Sequence, residues 1–169
     1  MFPFRHRLTV RWLRIAIVSL ASVAALLLVT AAPASAATMS VSFKLLPARS
    51  GAVCTAMVAR IPTDQYDTWG YLNNGAHAQV QLWGDDPVWD NLLRTSGWAY
   101  LNAGVDGVGI GGDSGGIYVT WYGCYSRSLF DEDLENDDEV YVKVTVIDGD
   151  GYTLASAKSN VVTIGYIYG

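Results

Sequence analysis

The chain has 169 residues, 11 basic and 16 acidic side chains and a net charge of −5, and 51% of it is hydrophobic. That length suits one domain around one core. Four of the basic residues fall in the first 14 positions, so the remainder is strongly acidic. This excludes a surface made to neutralise nucleic-acid or anionic-membrane phosphates, which needs clustered lysine and arginine.

Arg5, Arg7, Arg11 and Arg14 come with no acidic residue among them, and an apolar run follows over residues 15–32. Pro33 and the small residues Ala34, Ser35, Ala36 and Ala37 come next. A basic region, an apolar region and an A-x-A site predict a signal peptide over 1–36, cleaved after Ala36. No two arginines are adjacent, which favours the general export route over the twin-arginine one. The alternative is an uncleaved anchor, since the run is near the lower limit for crossing a bilayer. No second run of that length exists, so no membrane span is expected after cleavage. The predicted mature domain, 37–169, holds seven basic and all 16 acidic residues, a charge of −9. Such a domain is expected to be secreted and to favour cationic partners, Ca²⁺ among them.

Along the mature chain, alternation predicts strands. Residues 39–46 place Val41, Phe43 and Leu45 on one side, and residues 52–61 form a second strand carrying Cys54. Residues 63–75 read as irregular. Ala78, Val80 and Leu82 then face one way, with His77, Gln79, Gln81 and Trp83 facing the other. Residues 90–95 fit a single helical turn, and 97–103 a short aromatic strand. Residues 103–116 read as a glycine-rich loop, 117–125 as a β-branched and aromatic strand, and 131–139 as an acidic run. Val140, Val142, Val144 and Val146 make a period-two stripe, and residues 160–168 form the last strand. About seven strands without a capped helix predict an all-β fold, a two-sheet antiparallel sandwich. In an exported domain Cys54 and Cys124 read as one disulfide. Its loop of about 70 residues is worth roughly 4 kcal/mol in the chain-entropy model. A reactive or metal-binding thiol pair is the alternative, though without C-x-x-C spacing.

Several motifs invite a functional reading. Gly112-Asp113-Ser114-Gly115-Gly116 is similar to the nucleophile loop of chymotrypsin-like proteases, where glycine N–H groups form an oxyanion hole. The mature chain has one histidine, His77, outside the family's A-A-H-C context, and too few residues precede Ser114 for the protease barrels. A coincidental glycine-rich turn is the expectation. Residues 107–112 match G-x-G-x-x-G but precede a strand rather than a helix, so a dinucleotide site is not expected. Asp148-Gly149-Asp150-Gly151 reads as a hairpin turn; an EF-hand fails because Tyr152 stands where a ligand belongs. Asp131, Asp133 and Asp137 lie in a carboxylate-dense run that could hold Ca²⁺ or be a solvated loop. The segment from Trp83 to Asp90 places Asp85, Asp86 and Asp90 with Trp83 and Trp89 around one loop. Rigid aromatics beside acceptors suit a sugar or peptide, and the three carboxylates are a second candidate for Ca²⁺.

Residues 78–124 resemble the secreted transthyretin-like β-sandwich families, in AQVQLWGDDPVWDNLL, TSGWAYL and GGIYVTWYGC. The ending EVYVKVTVIDGDG…SNVVTI is similar to the last hairpin of bacterial immunoglobulin-like domains. Both resemblances imply a binding or interaction module rather than an enzyme, while fold alone does not fix function. The reading is a secreted, non-catalytic binding domain for an extracellular protein or polysaccharide. A carbohydrate-binding module using Trp83, Trp89 and Trp69 is the more specific alternative. A small hydrolase using Asp86 with Asp90, or the Ser114 loop, and an inhibitor are further ones.

Overall fold

The computed structural model describes residues 38–47, 51–86, 89–130 and 138–165. The predicted signal peptide and Asp131, Asp133 and Asp137 lie outside these. The described chain forms ten strands in two antiparallel sheets. The strands are β1 Ser40–Leu46, β2 Ala52–Ile61, β3 His77–Gly84, β4 Asn91–Thr95 and β5 Ala99–Tyr100, then β6 Val108–Asp113, β7 Gly116–Ser126, β8 Asp138–Ile147, β9 Thr153–Lys158 and β10 Val162–Ile164. A helix, α1 Gln65–Asn73, stands between β2 and β3. The two-sheet sandwich is as the alternation predicts; the strand count is higher because short edge segments carry little pattern.

The first sheet runs β1-β2-β7-β6 and the second is centred on β3 and β8. Ala78, Val80, Leu82 and Gly84 pair in register with Val146, Val144, Val142 and Val140. All eight point inward and are buried. They pack on Phe43, Met57, Ile61, Ile117, Val119 and Trp121 of the first sheet. Each fully buried valine contributes on the order of 2 kcal/mol. Cys54 and Cys124 are register partners on β2 and β7 and form the disulfide, with an S–S distance of 2.08 Å. It sits on the outer face of the first sheet, opposite in phase to the inward Met57 and Trp121.

Five expectations need correction. Residues 63–75 contain α1, whose N-cap Asp64 accepts a hydrogen bond from the Asp67 N–H at 2.8 Å. Only Thr68 and Leu72 are buried along it, too few to show a helical period. Residues 90–95 are no helical turn: Asn91–Thr95 is strand β4, paired with β3. Residues 103–116 contain β6, paired with β7 through all six residues. The predicted strand over 97–103 shrinks to Ala99–Tyr100, and that over 160–168 to Val162–Ile164 within the described residues.

Both edges of the second sheet are interrupted strands. β4 and β5 follow one another along β3, and β9 and β10 along β8. At each break a serine closes the ladder. The Ser96 N–H donates to the Val80 carbonyl at 2.9 Å, and Ser96 Oγ accepts from the Val80 N–H at 3.0 Å. The Ser159 N–H donates to the Val142 carbonyl at 2.9 Å, and Ser159 Oγ accepts from the Val142 N–H at 3.0 Å. Each hydroxyl then donates to the carbonyl of the following residue. Next to the second break, the Asn160 side-chain amide pairs with both backbone groups of Phe43, at 3.0 Å each, and ties the two sheets together.

Candidate functional site

The outer face of the second sheet carries every other residue of its strands. On β3 these are His77, Gln79, Gln81 and Trp83, and on β8 Tyr141, Lys143, Thr145 and Ile147. The register places Trp83 beside Tyr141, Gln81 beside Lys143, Gln79 beside Thr145 and His77 beside Ile147. Ser156 and Lys158 of β9 extend the rows through Thr145 and Lys143. Aromatic rings therefore stand at both ends of a polar strip.

At one end lie most of the residues singled out in the sequence. Trp83 belongs to β3 itself rather than to the following loop, and its ring is parallel to that of Tyr141, with centroids 6.4 Å apart. Asp90 accepts the Tyr141 hydroxyl hydrogen bond at 2.7 Å. Lys158 Nζ lies 3.4 Å from the Tyr141 ring centroid, 2.9 Å from Asp85 Oδ1 and 3.8 Å from Asp90 Oδ2. Asp85 and Asp90 are thus engaged by one ammonium group, while Asp86 accepts from Asn91 Nδ2 at 3.1 Å. Burial, the Asp90 hydrogen bond and the Asp90 and Asp85 charges raise the Tyr141 pKa well above its usual value. Trp83 Nε1 is buried with no acceptor among the described residues. Trp89, by contrast, is 77% exposed. Among the described residues no three His, Cys, Asp or Glu side chains are placed to share a metal ion.

At the other end is a cluster that the sequence reading left unassigned. His77 stacks on Tyr100 at 4.8 Å and meets Trp98 edge-on at 4.9 Å. The His77 ring is fixed by a 3.0 Å hydrogen bond between Nδ1 and the Gly75 carbonyl. β5 exists to hold this arrangement: Tyr100 is the register partner of His77, and Ala99 turns inward against the core. Trp98 is 37% and Tyr100 45% exposed, so their rings are open to solvent. The visible signal was the pair Trp98 and Tyr100 alternating around Ala99. Its meaning depended on pairing with His77, which is 23 positions from Tyr100.

The remaining candidates are dispersed. Trp69 lies on α1, where Gln65, Tyr66, Trp69, Gly70 and Asn73 line a shallow depression of about 590 Å³. Ser114 is at the tip of the β6–β7 hairpin in the first sheet. Asp113 and His77 belong to different sheets. The Asp113 carboxylate accepts from Arg60 at 2.6 and 3.2 Å and from the Gly115 N–H at 2.8 Å. The Arg60 hydrogen bonds hold its pKa below the usual value, with the Gly115 bond adding to the effect. Two glycines of the motif have packing reasons. A side chain at Gly112 would strike Thr68 and Leu72 of α1, and Gly116 has φ +124° with the Ile61 carbonyl against it.

No family model matches the chain, and no curated protein matches it. Among solved structures it is similar to the selenomethionine-labelled β-glucosidase from Kluyveromyces marxianus, with 11% identity and a TM-score of 0.31. The match covers 76% of this chain and 15% of that one.

Proposed function

We propose that this chain is an exported, non-catalytic binding domain, and that it holds carbohydrate on the open aromatic cluster of His77, Trp98 and Tyr100. One observation carries the reading: the His77 ring in contact with both Trp98 and Tyr100 stands on an exposed sheet face beside a strip of amide and hydroxyl side chains. Sugar faces are apolar where C–H bonds project and stack on rigid rings, while hydroxyl groups satisfy neighbouring polar groups. Export follows from the basic, apolar and A-x-A segments of residues 1–36. The resemblance to transthyretin-like sandwiches is in keeping with a binding role.

The test is depletion of residues 37–169 from solution by insoluble cellulose, chitin, xylan and peptidoglycan. Selective depletion by one polymer, lost in Trp98→Ala, is the expected result. Depletion by none would move the ligand class to a protein partner, sought by pull-down from secreted or cell-surface extract. Hydrolytic turnover lost in Ser114→Ala would replace the reading with an enzyme.

A further inference from the structure

Resting on the carbohydrate reading, we infer that the ligand is a linear, uncharged glycan chain laid along β3, from the His77–Trp98–Tyr100 cluster to Trp89. His77 and Trp83 are six residues apart on one strand, about 20 Å at strand spacing. That span is several sugar rings long, so a single sugar could not use both ends. Between them the face offers Gln79, Gln81, Thr145, Ser156 and Lys143.

Amides and hydroxyls both donate and accept, which matches sugar hydroxyls that do the same. No carboxylate stands in this strip. Asp85 and Asp90 lie at its far end and are engaged by Lys158 and Tyr141. Lys143 carries a charge with no carboxylate partner among the described residues, but the domain around it is strongly acidic and would repel a polyanion at long range. Hydrogen bonding from its ammonium to hydroxyl groups is the role that remains.

The far end supplies the second ring. The chain after β3 returns so that Asp90 reaches Tyr141 and Leu92 pairs with Trp83. Trp89 is 77% exposed and one residue before Asp90, which tethers its backbone to the Trp83 end of the face. The sheet edges argue for face binding over peptide addition. An extended peptide docks by continuing a strand ladder. Here β4–β5 and β9–β10 are broken by Ser96 and Ser159, whose hydroxyls are already used within the sheet.

The experiment is calorimetric titration of the disulfide-bonded protein with cello-, chito- and xylo-oligosaccharides from dimer to hexamer. In one series the hexamer is expected to bind about tenfold or more tighter than the dimer, the worth of an added aromatic stack. That ratio should fall toward unity in Trp89→Ala. Lys143→Ala, an exposed strand position that folding tolerates, should lower it as well. Affinity that does not grow with length, or growth that survives both substitutions, overturns the extended track and leaves the sugar cluster standing. No binding that Trp98→Ala removes overturns both.

Discussion

The two ends of β3 carry similar side chains put to different use. At the Trp83 end, the Tyr141 ring, Asp85, Asp90 and Lys158 engage one another and leave Tyr141 5% exposed, while Trp89 beside them stays open. At the His77 end, the rings touch His77 but no charged group among the described residues covers them, and Trp98 and Tyr100 remain open. A dense group of chemistry-bearing residues is thus not itself an available site. Where opposite charges and a ring meet, as at Tyr141, Asp85, Asp90 and Lys158, the contacts are made within the protein and those residues become scaffold, leaving Trp89 as the open ring of that end.

That contrast can be broken by substitution. Tyr141→Ala should have the largest effect, a loss of about 3 kcal/mol by urea denaturation, as for other buried aromatic truncations. Trp98→Ala should cost under about 1 kcal/mol in the same assay, because much of its ring is already in water. Equal losses would show that the two ends do not differ. Binding should sort in the other direction: Trp98→Ala and Tyr100→Ala are each expected to weaken polysaccharide retention about tenfold.

Lys158→Ala should cost about 1 kcal/mol in low salt, since an exposed ion pair is worth little and its contact with the Tyr141 ring adds a comparable amount. The smallest effect is on titration. The folded protein holds the Tyr141 proton more tightly than the unfolded chain, so this contribution is full below the unfolded phenol's value near 10. It falls as pH rises from there towards the higher folded value. Asp90→Asn removes the nearby charge and should let Tyr141 ionise at lower pH, read by absorbance at alkaline pH. An unchanged profile would mean that burial and the Asp85 charge, not Asp90, set the shift.

Much of the sandwich was legible because inward positions alternate with outward ones. The span of β2 and the valine stripe of β8 are where alternation places them. What escaped has local physical causes. In β6, glycines stand where bulkier residues were expected, since Gly111 lies under the Tyr118 ring and Gly112 under α1. β9 turns only the small Ala155 fully inward. In α1, Gly70 and two buried contacts leave no stripe to read. The site was legible only as a set of ring types, because His77, Trp98 and Tyr100 become neighbours through strand pairing. Asp85 and Asp90 were visible as a group, but their engagement by Lys158 comes from a residue more than sixty positions away.

The serines at the two edge breaks have a consequence for hydrogen exchange. Val80 and Val142 lie on the two central strands, where amides ordinarily exchange only through global unfolding. Their N–H groups are held by Ser96 and Ser159 hydroxyls rather than by backbone carbonyls. Rotation about a single side-chain bond exposes each of them. These two amides should then exchange faster than those of Val144 and Leu82 beside them, giving the middle of the sheet two points of early solvent entry while the rest stays closed.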